Sequence, residues 1–220
     1  MLFKRLKAEN ESVWQSYTRH PFVEAMGEGS LDRACFRHYL IQDYLFLIHF
    51  ARAYALAVYK GKSLHDMRAA LEGLKAILDV EMDLHVTLCG QWGLTAEDLE
   101  KAPESRATMA YTRYVLETGL RGDLLDLHVA LSPCVIGYQE IAARLVALPS
   151  ALAETNPYAP WIREYSGADY VGVADAARQT LDRLAGEHVS DQRFLELSRI
   201  FSQATRLEAD FWQMGLDLAD

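Results

Sequence analysis

Apolar residues recur along most of the chain at three- and four-residue intervals, the period of a helix with one buried face. The pattern predicts helices at about 2–19, 31–60, 64–91, 104–121, 123–147 and 191–218, and a shorter pair at about 158–165 and 169–187. No run alternates apolar and polar residues between hairpin signals, so strands are not expected. Breakers are few: of the six prolines, only Pro133 falls deep inside a long helical segment. Ser30 and either Lys62 or Ser63 are read as starts of the second and third helices, and Asp191 as the cap of the last. No fixed-period repeat, low-complexity tract or linker divides the sequence. One all-α domain, a helical bundle, is expected over residues 1–220.

The segment at 31–60 is apolar nearly all round, with Tyr39, Leu40, Ile41, Tyr44, Leu45 and Phe46 in succession around Asp43. A helix of that kind is a central one, covered on several sides. An ionised carboxylate on it is costly unless something pairs with it or donates to it, so Asp43 stands out. Glu208 is a second such case, with Phe211 and Trp212 one turn along on the same face.

Composition narrows the function classes. With 50% hydrophobic and 24% charged residues the chain is globular rather than disordered. At 220 residues it can bury a core that needs no staples. A net charge of −9 makes nucleic acid and anionic membrane surfaces poor partners. The most apolar stretch, Tyr39 to Tyr59, is interrupted by Gln42, Asp43, His49 and Arg52 and does not read as a membrane span. The N-terminal segment carries Lys4, Arg5, Lys7 and Glu9 and shows no signal peptide, so a soluble cytoplasmic protein is expected. The sequon Asn10-Glu11-Ser12 is then read as chance.

Candidate chemistry is sparse. The chain lacks a dinucleotide or nucleoside-triphosphate glycine loop, a nucleophile elbow, a His-Glu-x-x-His pair and any Glu-x-x-His pair. Glu81 and His85 share a helix face and could ligate a metal, although an ordinary hydrogen-bonded pair is the commoner arrangement. The cysteines Cys35, Cys89 and Cys134 are too far apart for a Cys-x-x-Cys metal site and odd in number. Cys35 and Cys89 are read as small buried hydrophobes. Cys134 follows Pro133, where a helix should kink or unwind, and Tyr138 lies above it on the same face. A thiol there becomes a nucleophile if a neighbour stabilises its thiolate; otherwise it too is a core residue. Tyrosines and tryptophans gather near these groups, at Tyr44, Tyr111, Tyr114, Tyr158, Trp161, Tyr165 and Tyr170. Such stripes are mostly core, yet they also suit a pocket for a flat polar heterocycle.

Five pieces, in order over nearly the whole chain, resemble the TenA (thiaminase II) family: Phe36-Arg-His-Tyr-Leu-Ile-Gln-Asp43-Tyr, Glu81-x-x-x-His85, Leu131-Ser-Pro-Cys134-x-x-x-Tyr138, Trp161-Ile-x-x-Tyr165 and Leu207-Glu208-x-x-Phe-Trp212. The resemblance implies a haem-oxygenase-like all-α fold, a homotetramer and a place in thiamine salvage. It implies hydrolysis of aminomethyl aminopyrimidines, or of thiamine, to the hydroxymethylpyrimidine without a metal or organic cofactor. By the same matching, Cys134 is the nucleophile and Glu208 the acid/base. Asp43 holds the aminopyrimidine, and Phe46, Tyr111, Tyr138 and Tyr165 line the pocket. Phe46 stands where some members carry tyrosine, which keeps the stacking face and drops a hydroxyl. Two other readings stay open: a metal-dependent or cofactorless oxidase on the same fold using Glu81, His85 and Glu140, and a non-catalytic pyrimidine-binding regulator.

Overall fold

The computed structural model describes residues 1–220, and its regular structure is entirely helical. Twelve α-helices run α1 Leu2–Glu9, α2 Glu11–Thr18, α3 Pro21–Glu28, α4 Arg33–Lys60, α5 Leu64–Ala76, α6 Met82–Gln91, α7 Ala96–Lys101, α8 Arg106–Arg121, α9 Leu124–Leu145, α10 Ala159–Ser166, α11 Ala168–Ala185 and α12 Asp191–Asp217. A π-helical turn, Ile77–Glu81, joins α5 to α6.

Local chemistry explains where these helices differ from the expected ones. The first segment is two helices, because Asn10 leaves helical geometry (φ −115°) and its side chain donates to the Leu6 carbonyl at 2.8 Å. Asparagine competes with the helix for such backbone groups. Helix α3 escapes periodicity at only 8 residues. It is framed by Pro21 at its first position, His20 accepting from the Phe22 amide, and Gly29 in the left-handed region at φ 77°. Helix α7 is nucleated by a reciprocal capping box between Thr95 and Asp98. Ser63 caps α5 as expected. Helix α4 begins at Arg33 rather than near Ser30, and the Arg193 amide of α12 is taken by Ser190 rather than by Asp191.

Backbone contacts group the chain into two compact units, each discontinuous in sequence, so no linker marks a boundary. The first comprises Met1–Asp32 with His128–Gln213, the second Arg33–Leu127 with Met214–Asp220.

In the second unit, α4 is the hub and packs against α5, the π turn, α6, α7 and α8. Gln42 fixes the entry to α8. Its amide donates to the Pro103 carbonyl at 3.0 Å, and its oxygen accepts from the Ser105 amide at 2.9 Å and Thr108 Oγ1 at 2.7 Å. A buried amide with its polar atoms satisfied is rigid, and this one sets the register of α8 on α4.

The first unit is built on aromatic packing. Trp14 stacks on Phe201 at 5.5 Å, and Trp212 stacks on Phe22 at 5.1 Å and on Tyr17 at 6.4 Å. Asn156 ties the segment before α10: its amide nitrogen reaches the carbonyls of Met26, Ser150 and Ala151, and its oxygen accepts from the Tyr158 amide.

Candidate active site

Asp43 is buried on α4, 4% exposed. Two side chains address its carboxyl, and both address the same oxygen, Oδ2. Tyr39, one turn earlier, donates its hydroxyl at 3.1 Å, and His85 of α6 places Nδ1 at 3.4 Å. The other ring nitrogen, Nε2, lies 2.8 Å from the Leu40 carbonyl. A carbonyl only accepts, so Nε2 carries the hydrogen. Burial pushes the Asp43 carboxyl up to about 7, against a smaller opposing effect of the Tyr39 hydrogen bond. Burial likewise pushes His85 down to about 4. At neutral pH Asp43 is therefore poised between its two forms. One turn along, Phe46 packs its ring 5.1 Å from Tyr111 of α8 and 5.4 Å from Phe50. The second unit thus sets Asp43 against His85 of α6 and, one turn along α4, Phe46 against Tyr111 of α8.

Cys134 and Glu208 belong to the first unit. Cys134 is buried on α9, which passes through Pro133 without unwinding. Proline leaves the Val129 carbonyl without its amide donor, and Ser132 Oγ replaces that donor at 2.9 Å. The Pro133 carbonyl accepts from the Tyr17 hydroxyl at 3.2 Å. The turn that carries the thiol is therefore held from both sides.

Tyr138, one turn on, joins an aromatic cluster. Its ring lies 5.0 Å from Tyr165, 5.6 Å from Trp161 and 5.2 Å from Trp212. Tyr165 also touches Trp161 at 4.5 Å and Tyr170 at 4.7 Å. Glu208 sits one turn before Trp212 on α12 and is 1% exposed, so it is not a solvated surface residue. Leu207, Phe211 and Trp212, its expected apolar walls, are all buried.

The remaining cysteines are core residues. Cys35 donates to the Leu216 carbonyl at 3.3 Å, and burial pushes the Cys89 thiol up to about 12. Two of the three residues named for an oxidase, Glu140 and His85, are otherwise engaged. Glu140 takes Lys7 at 2.7 Å and Trp14 Nε1 at 3.1 Å, and the ring of His85 is occupied as described. No group of three or more His, Cys, Asp or Glu is arranged to hold a metal ion. An open cavity of about 300 Å³ in the first unit is lined by Lys7, Trp14, Arg19, Glu140 and Arg144, and by none of the residues expected at the aminopyrimidine site. Sequence reasoning missed Tyr39 and His85 as the partners of Asp43. Tyr39 could have been found from its four-residue spacing; His85 was noticed only beside Glu81.

An all-α chain with this helix order has the haem-oxygenase-like fold: a Shewanella denitrificans domain described with that fold superimposes at TM-score 0.77 over 98% of this chain and 92% of its own, at 16% identity. The chain belongs to the TENA/THI-4/PQQC family, whose model matches residues 7–218. A Halalkalibacterium halodurans protein described as an aminopyrimidine aminohydrolase is 39% identical over 93% of this chain and 91% of its own. The crystal structure of a TenA family transcription regulator from a Silicibacter species superimposes at TM-score 0.92, with 43% identity, over 98% and 96% of the two chains. No helix is long and apolar enough to cross a membrane.

Proposed function

We propose that this chain is an aminopyrimidine aminohydrolase of the thiaminase II type, acting in thiamine salvage in the cytoplasm. It hydrolyses 4-amino-5-aminomethyl-2-methylpyrimidine, or thiamine, to the hydroxymethylpyrimidine. The observation that carries the reading is the Pro133–Tyr138 turn. A buried thiol is fixed there under an aromatic cluster that includes Trp212, one turn from the buried Glu208. The family match and the 39% identical aminohydrolase support the same reading.

The residue types suit the chemistry. Direct displacement of an amine from a carbon on an aromatic ring is slow. The Cys134 thiolate adds instead to the neighbouring ring carbon, and the ring electrons expel the amine, which leaves as ammonia after taking a proton. Glu208, walled by apolar side chains, is the group that delivers that proton. Water then adds to the exocyclic carbon, the ring regains its electrons and the thiolate departs. Asp43 recognises the pyrimidine edge by accepting a hydrogen bond from its exocyclic amine. Phe46, Tyr111, Tyr138 and Tyr165 supply faces and hydroxyl tips for a flat ring.

A regulator that only binds pyrimidine needs neither an immobilised thiol nor a desolvated acid. The homotetramer expected for the family finds support in a run of exposed apolar side chains on α5, the π turn and α6, among them Leu71, Leu78, Val80 and Leu84.

The test is ammonia release from the aminomethyl pyrimidine by wild type and Cys134→Ser. Turnover should fall by at least about 10²-fold while hydroxymethylpyrimidine still binds. Full activity in Cys134→Ser would remove the mechanism.

A further inference from the structure

His85 has no part in the reaction as described above, yet it is buried, bridged between two helices and aimed at the group that recognises substrate. We propose that His85 is a positioning residue that decides which oxygen of Asp43 carries its proton, and so fixes the site for a pyrimidine bearing an amine rather than an oxo group. The inference rests on the functional reading for the identity of the ligand and on the local geometry for the rest.

The geometry runs from the Leu40 carbonyl outward. Because that carbonyl takes the Nε2 hydrogen, the neutral ring turns a bare Nδ1 lone pair toward Oδ2 of Asp43. Two lone pairs facing each other repel, whereas a proton between them is a hydrogen bond. Oδ2 is therefore where a protonated Asp43 keeps its hydrogen. Oδ1 has no protein partner and is left as a pure acceptor, the match for an amine N–H.

Tyr39 works in the opposite sense. Its hydroxyl donates to Oδ2, which by itself favours negative charge on Oδ2 and the proton on Oδ1. Without His85, Oδ1 would become a donor and would welcome a carbonyl.

The ionisation states agree. Burial holds His85 neutral at every pH above about 4. It keeps Asp43 protonated below about 7, with no arginine or lysine among the groups acting on it. The other groups near the pair do not intervene. Cys89 of α6 stays a thiol, with burial pushing it up to about 12; Glu100 of α7 acts on Tyr44; and Tyr111 of α8 packs on Phe46.

The test compares binding of 4-amino-5-hydroxymethyl-2-methylpyrimidine with its 4-oxo counterpart, in wild type and His85→Gln. Glutamine keeps a donor for the Leu40 carbonyl and removes Nδ1. Near pH 6, wild type should prefer the amine by at least about 10²-fold, since the analogue sets an oxo acceptor against the acceptor Oδ1. His85→Gln should lose at least about tenfold of that preference. Near pH 8.5, where Asp43 is ionised, the two proteins should discriminate equally. A purely structural role would weaken both ligands together at both pH values. An unchanged preference in folded His85→Gln near pH 6 overturns the proposal.

Nitrogen NMR of wild-type His85 near pH 6 is the second measurement. It should show a neutral ring protonated at Nε2 only; an imidazolium or an Nδ1–H ring overturns the proposal whether or not the variant folds. If wild type binds neither pyrimidine, the functional reading fails, and the NMR result alone decides where the proton lies.

Discussion

Burial governs what Asp43 does to stability as well as to binding. Its carboxyl is raised from 3.8 to about 7, so between those values the folded chain binds a proton that the unfolded chain releases. The stabilisation from that proton is complete below the unfolded value and is lost as pH rises through about 7. His85 acts in reverse: lowered from 6.5 to about 4, it contributes stability above the unfolded value that is lost as pH falls through the folded one. Asp43→Asn removes only the first effect. Its thermal stability should match wild type near pH 4 and exceed it near pH 8, by up to about 4 kcal/mol on the scale of a three-unit shift. Parallel melting curves across that range would show that Asp43 is ionised in the fold.

Glycine 137 gives a second residue-scale outcome. A methyl group there would sit 2.4 Å from Tyr17 Cε1 and 2.6 Å from its hydroxyl oxygen. Tyr17 cannot retreat, being fully buried between Trp14 and Trp212 and hydrogen-bonded to Pro133. Gly137→Ala should cost about 1–3 kcal/mol by overpacking, measured by urea unfolding. At Gly90 of α6 nothing lies within 4 Å of an added methyl. Gly90→Ala should therefore gain up to about 1 kcal/mol from helix propensity.

Among the elements, α5, the π turn and α6 form one helical pass that the periodicity reads as continuous from 64 to 91. A π turn holds one residue more than an α turn would between the same flanks. Deleting the exposed Val80 should convert it to regular helix while α6 keeps its phase, with His85 still facing Asp43. Helix content and melting temperature should stay within a few degrees of wild type; unfolding would show that the π turn is required. Long, periodic helices such as α4, α8 and α12 were legible because many residues vote for each. The break at Asn10, helix α3 and helix α7 were not, because each depends on one or two hydrogen-bonding side chains rather than on a face. Helix α9 was legible as one segment at 123–147, but not that it passes Pro133 without unwinding, since Ser132 repairs the lost bond from its own side chain.

For the molecule as a whole, the proposed assembly meets its test on the exposed apolar run of α5–α6. Leu78 and Leu84 are 51% and 48% exposed, and neighbouring Leu71 and Val80 extend the strip. Paired Leu78→Glu and Leu84→Glu place like charges where two copies would meet. Sedimentation should show a smaller species than wild type, with helix content unchanged. An identical sedimentation coefficient would move the interface elsewhere. The helical class and the family are legible in the chain alone, because period and ordered motifs survive in one dimension. The sequence also marked Cys134, Asp43 and Glu208 as the residues out of keeping with their surroundings. How those residues behave is settled by the neighbours that folding brings to them. The proton on Asp43 depends on an imidazole 42 positions away along the chain, and the turn bearing Cys134 depends on a tyrosine 116 positions before Pro133. Desolvation and lone-pair geometry are sums over neighbours in space, and a chain brings those neighbours together only when it folds.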